Sequence, residues 1–216
     1  MGKTGVPGTQ VEYSLLITNT GNLAESFTLG LVGHNWTVSG PAQVGPLAAN
    51  TGSATVKVRV LVAADAAAGA TDPLTVTVTS PADAGATAQL LLTTTAGTLH
   101  AAALDAPDAF IGAPGESLTA TVTATNTGNI SDAYTVTVSG GDWPVQFSDQ
   151  VAVLEPGESA PISIRVDIPL AILPNASRSW TVNLISQTTG QVKATTTLKV
   201  ATQGGGYSLF LPYLVR

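Results

Sequence analysis

The chain has 216 residues, a net charge of −6 and no cysteine, and 10% of its residues are charged, against roughly 25% in an average globular protein. Eight Lys and Arg build no basic patch for nucleic acid and no polybasic segment for anionic lipid. Disulfides and thiolate metal sites are excluded, and no apolar run reaches the roughly 18 residues of a membrane helix.

In chain order, Pro7-Gly8 first marks a turn. Val11, Tyr13, Leu15 and Ile17 then alternate with Glu12, Ser14, Leu16 and Thr18, a period of two that predicts a strand with one face in a core. The run Thr18-Asn19-Thr20-Gly21-Asn22 follows, and its glycine is expected to take a positive φ so that the chain reverses. Trp36, on a short segment after the second strand pair, is expected to plug one end of the core. Val56, Val58, Val60 and Val62 alternate with Lys57, Arg59 and Leu61, and Val76 and Val78 sit between threonines. Ala63 to Ala70 is alanine-rich, but Gly69, Asp72 and Pro73 close it, so a loop is expected there.

The pattern then starts again. Thr18-Asn19-Thr20-Gly21-Asn22 recurs as Thr125-Asn126-Thr127-Gly128-Asn129, an offset of 107, which also carries Pro7-Gly8 onto Pro114-Gly115, Phe27 onto Tyr134 and Trp36 onto Trp143. After one deletion the offset is 106: Val56 to Val60 then matches Ile162 to Val166, and Leu74 to Ser80 matches Trp180 to Ser186. Two copies of one domain therefore follow one another, residues 1–97 and 98–203, with 204–216 left as a glycine linker and an apolar segment. Short strands between regular turn signals predict an all-β chain of two tandem β-sandwiches.

The succession of Pro-Gly, strand, Asn-x-Gly-Asn, strand, Trp, Leu-x-Pro-Gly-x-Ser, strand and Pro resembles bacterial Ig-like modules found beside α-galactosidases and other secreted hydrolases. It also resembles related adhesin-type repeats. Copy two carries the resemblance best, through Asn126 to Asn129, Trp143, Leu154-Glu155-Pro156-Gly157-Glu158-Ser159 and Pro169. Copy one departs from it at Leu47-Ala48-Ala49-Asn50-Thr51-Gly52 and lacks the proline after Val62. The resemblance implies two Ig-like sandwiches with an accessory, spacer or adhesive role, and it brings no catalytic residues with it.

Enzymatic chemistry finds little to stand on. His34 and His100 are the two histidines; the first is read as a loop residue and the second as part of a strand among alanines. No His, Cys and carboxylate cluster has the spacing of a zinc site. Asp105, Asp108, Asp142 and Asp149 are read as solvated loop carboxylates, calcium at the domain junction being the alternative for the first two. Lys57, the one candidate for an isopeptide cross-link, is read as facing solvent, since copy two has Ser163 there. The expectation is a protein that is not an enzyme and carries no cofactor.

The end of the sequence is more informative. Thr98 to Asp105 is expected to be the first strand of copy two, and the repeat offset leaves copy one without such a strand. Run forward at the 106 offset, Thr98 falls on Gly204 and Asp105 on Leu211, which puts Tyr207 to Arg216 in the position of a first strand. Tyr207, Leu209, Leu211, Tyr213 and Val215 share one face, with Phe210 and Leu214 on the other, which suits a strand buried on both sides. Pro212 removes one donor. Seven such side chains represent on the order of 10–20 kcal/mol of gross apolar burial, of which ordering and association consume about half or more. Three glycines reach only about 10 Å, too short to bring the segment back to copy one of its own molecule.

The sequence therefore predicts a subunit that polymerises head to tail with copies of itself, by strand donation into copy one. The alternative is a tandem spacer or adhesion module of a larger secreted or surface protein. The segment MGKTGVPGTQVEYSLL has no signal-peptide character, while the Thr-rich, Lys-poor composition reads as secreted, so Met1 is expected not to be the natural start of the gene product, a cytosolic protein being the alternative. The expected setting is extracellular or cell-surface, with cell-surface or matrix components as further candidate partners.

Overall fold

The structure is a computed structural model that describes residues 1–204. Every regular element is a strand: β1 (Gly2–Gly5), β2 (Gln10–Thr18), β3 (Glu25–Val32), β4 (Thr37–Ser39), β5 (Gln43–Leu47), β6 (Ser53–Leu61), β7 (Thr71–Thr79) and β8 (Thr87–Ala96) in the first unit. The second unit holds β9 (Ala102–Asp105), β10 (Phe110–Gly112), β11 (Ser117–Asn126), β12 (Asp132–Gly140), β13 (Val145–Phe147), β14 (Gln150–Leu154), β15 (Ser159–Asp167), β16 (Ser177–Ser186) and β17 (Val192–Thr202). The division between the units falls after Leu99. No helix among the described residues is long and apolar enough to cross a membrane.

Each unit is an Ig-like sandwich of two sheets. Unit 1 pairs a sheet of order β1-β8-β7-β3-β5 with one of order β2-β6-β4; unit 2 pairs β10-β17-β16-β12-β14 with β13-β15-β11-β9. The sheets correspond strand for strand with one exception, β9. That strand lies antiparallel on the outer edge of β11, with Leu104 opposite Ala124. Among the described residues nothing pairs with the outer edge of β2.

The period-two pattern is realised as expected. Val11, Tyr13 and Leu15 on β2 point inward with Val56, Val58 and Val60 on β6, and Ala120, Val122 and Ala124 do the same with Ile162, Ile164 and Val166. Trp143 is buried, and Trp36 is half-buried against the core of unit 1. Ala63 to Ala70 is irregular rather than helical. Lys57 points to solvent and pairs with Glu12 at 2.8 Å.

Three expectations need correction. Gly8, Gly115 and Gly157 do have positive φ, but Gly21 and Gly128 do not, so the repeated Asn-Thr-Gly run turns by another device. Asn126 is buried, and its Nδ2 donates to the carbonyls of Ile130 and Leu154 at 2.9 and 2.8 Å while its Oδ1 accepts from the Gly128 amide. Asn19 repeats this with Leu23, Leu47 and Gly21. A single side chain thus satisfies three main-chain groups and pins the loop.

Second, the first strand of unit 2 is not the single run Thr98 to Asp105. It begins at Ala102, breaks at Pro107, and resumes as β10 in the opposite sheet, parallel to β17. Pro107 has no N–H for the ladder, which ends the first half there. Third, unit 1 has the second half of this split strand, since β1 lies parallel to β8 as β10 does to β17. Only the half corresponding to β9 has no equivalent among its described residues.

Candidate functional site

The flank of unit 1 that corresponds to the β9 side of unit 2 is an open groove of about 660 Å³. It runs between β2 and β8, floored by Ile17, Phe27, Val76 and Val78 and rimmed by Leu16, Leu23 and Leu90. Inward positions here are incompletely covered. Ile17, Phe27 and Val78, which line the groove, are half-buried, whereas their counterparts Ala124, Tyr134 and Leu184 are fully buried. Leu90 has the inward parity of Leu92 but is 43% exposed, and Leu16 on the edge strand is 70% exposed.

What covers this flank in unit 2 is β9. Ala102, Leu104 and Ala106 pack onto the core while β9 runs beside β17. Its main chain is tied at the lead-in, where the Thr127 amide donates to the Ala101 carbonyl at 3.0 Å and the Tyr134 hydroxyl reaches the same carbonyl at 3.3 Å. Burial, with a smaller contribution from the charge of Asp132, pushes the Tyr134 hydroxyl up to about 12. Phe27 takes this position in unit 1 and has no hydroxyl.

A buried polar cluster closes the same end of unit 2. Asp132 accepts from the Ser186 hydroxyl and from Nδ1 of His100 (2.9 Å) through one carboxylate oxygen, and from Thr188 at 2.9 Å through the other. Burial raises the Asp132 carboxyl, but hydrogen bonds from Ser186, Thr188 and His100 outweigh it and hold the group below the usual carboxylate range. His100 is therefore a structural partner of an acid, in the segment leading into β9 rather than in a strand. Unit 1 has Glu25 and Ser80 in the corresponding places, again joined by a hydrogen bond, and Oε1 of Glu25 also accepts from the Ala82 amide. Among the described residues the other Glu25 oxygen accepts no hydrogen bond.

The sequence reading missed this acid–serine pair, although the repeat offsets align Glu25 with Asp132 and Ser80 with Ser186. His34 sits in a loop and bonds the Trp36 carbonyl through Nδ1. Asp142 pairs with Arg178, which also lies over the Trp143 ring, while Asp105 is an exposed residue of β9. Among the described residues no group of three His, Asp or Glu side chains is gathered to hold a metal. The donor-strand residues Tyr207, Leu209, Phe210, Leu211, Tyr213, Leu214 and Val215 lie outside the described residues.

No protein-family model matches the chain, and no curated protein matches it. Similar solved structures include a Porphyromonas gingivalis protein of unknown function, 15% identical over 92% of this chain and 93% of that one, with a TM-score of 0.33. The sialic acid binding region of a Streptococcus sanguinis adhesin is 11% identical over 94% of this chain and 76% of its own, with a TM-score of 0.34. The YadV chaperone is 14% identical over 88% and 91%, with a TM-score of 0.29.

Proposed function

We propose that this chain is a non-catalytic structural subunit of an extracellular filament, in which residues Tyr207–Val215 of one copy add as a strand to β2 of the next. The observation that carries the reading is the uncovered flank of unit 1, where three inward apolar side chains, Ile17, Phe27 and Val78, lack the cover their counterparts have. Unit 2 supplies the shape of the missing piece: a short antiparallel strand with alternate side chains on the core. Strand addition of this kind draws affinity from main-chain hydrogen bonds and selectivity from the alternate side chains. An open edge beside exposed leucines is otherwise a liability that proteins blunt with charge or proline, and β2 has neither between Leu15 and Asn19.

The tandem Ig-like architecture also favours a second reading, a spacer or adhesion module of a larger surface protein, related to the hydrolase-associated modules and contacting surface or matrix components. In that case the groove is covered by sequence preceding Met1 in the longer chain. Sedimentation velocity of the full chain over a range of concentrations separates the two. Oligomers that grow with concentration, and disappear in a Leu209→Asp, Leu211→Asp variant, support the filament. A monomer at every concentration contradicts it and leaves the spacer reading.

A further inference from the structure

We infer that the donated segment enters the groove in one register, with Leu209 opposite Ile17 in the place that Leu104 holds opposite Ala124. This rests on the strand-addition reading and adds the alignment. The template is β9, where Ala103 pairs with Thr125 and Leu104 with Ala124. Its inward residues are Ala102 and Leu104, continued by Ala106 just beyond its end, and its exposed ones Ala103 and Asp105.

The hydrogen-bond phase follows from the main chain. Thr127 donates to Ala101, whereas the amide and carbonyl of Asn126 are both engaged on the far side, by Glu158 and Gly157. Alternation in an antiparallel pair then directs the main-chain groups of Ala101, Ala103 and Asp105 toward β11 and those of Ala102 and Leu104 away from it. Pro107 is the next residue whose amide would face β11, and it has none to give.

Among placements of Pro212 at Asp105, Ala106 or Pro107, the segment Tyr207-Ser208-Leu209-Phe210-Leu211-Pro212 fits this template in one way, one residue off the 106 repeat offset. With Pro212 in Pro107's place, Tyr207, Leu209 and Leu211 take the inward places, and Ser208 and Phe210 the outward ones. Moving Pro212 to Ala106's place turns Ser208, Phe210 and Pro212 inward and both leucines outward, because a one-residue slip exchanges the faces, and seats a hydroxyl and a single large apolar side chain where the chosen register seats three. Moving it again, to Asp105's place, removes a donor that the ladder needs. The chosen register also sets Gly205 in His100's place, where glycine leaves room for Glu25, one methylene longer than Asp132. Larger inward side chains than those of β9 suit a groove of about 660 Å³.

The absence of cysteine makes the register directly measurable. Full-length copies carrying Thr18→Cys are mixed with full-length copies carrying Ser208→Cys, Leu209→Cys or Phe210→Cys and mildly oxidised. Thr18 corresponds to Thr125, whose partner Ala103 corresponds to Ser208. A disulfide needs Cα atoms within about 7 Å and converging Cβ atoms. A slip of one residue turns the cysteine to the other face, and a slip of two displaces it by about 6.6 Å. Relative to each variant oxidised alone, the expected excess of cross-linked dimer with Ser208→Cys is at least about fivefold that with the other two. A preference for Leu209→Cys or Phe210→Cys overturns the register but leaves strand addition standing. No excess with any of the three overturns both.

Discussion

Ile17 and Ala124 hold the same inward place on corresponding strands, yet Ala124 is fully buried beneath the strand that carries Leu104 while Ile17 remains half-exposed. The two units thus serve as an internal comparison. One sandwich carries a covering strand, and the other has none in that place among the described residues. Apolar surface left open in this way is favourable to cover at roughly 25 cal/mol per Å², which is the driving force the proposed strand addition draws on.

Leu90→Lys separates binding from folding. Leu90 points toward the groove but is 43% exposed, so the unit loses little burial of its own. Its unfolding free energy is expected to change by less than about 1 kcal/mol. Assembly is expected to weaken at least tenfold, since a charge would enter a site meant for apolar side chains, at a cost of about 1.4 kcal/mol or more. Denaturant unfolding and sedimentation on the same samples check the two halves.

Asn126→Ala tests the loop staple. It removes donors to the Ile130 and Leu154 carbonyls and the acceptor for the Gly128 amide, all close to a buried position. A loss of about 2–3 kcal/mol in unit 2 is expected from denaturant unfolding. Asn19→Ala is expected to cost unit 1 a similar amount through Leu23, Leu47 and Gly21.

Asp132 gives unit 2 an acid dependence. Its carboxyl is held below the ordinary 3.8, so the stability it contributes is complete above that value and is lost as pH falls through the lower folded-state value. The thermal midpoint of unit 2 is therefore expected to drop as the pH is taken from about 5 to about 3. Asp132→Asn is expected to cost about 1–3 kcal/mol at neutral pH and to make that drop shallower. Other carboxylates held down by partners, Asp142 beside Arg178 and Asp167 beside Ser117 and Arg165, keep part of it.

Much of the fold was legible because alternation and repetition are properties of the sequence itself. Val56 to Val62 could only place one face in a core, and the recurrence of Asn-Thr-Gly-Asn announced the second unit. The groove was legible only as a gap in the repeat. Sequence could not reveal that the covering strand crosses between sheets at Pro107, because a proline after an apolar run reads equally as a turn. The role of Asn19 and Asn126 was hidden behind the neighbouring glycine, the more familiar turn residue. The Glu25–Ser80 and Asp132–Ser186 pairs were also missed, since each joins residues far apart in the chain and only the fold brings them together.

The main-chain phase of β11 implies that the amides of Leu16 and Thr18 in β2, and of Thr20 just beyond it, face the open edge, while the Asn19 amide is already bonded to Gly52. Hydrogen exchange of those three amides, followed residue by residue in the full chain as concentration rises, tests the central claim most directly. The account predicts that they exchange freely in dilute solution, become protected as copies associate, and remain unprotected in the Leu209→Asp, Leu211→Asp variant. Free exchange at every concentration, or equal protection in the dilute monomer, would contradict it.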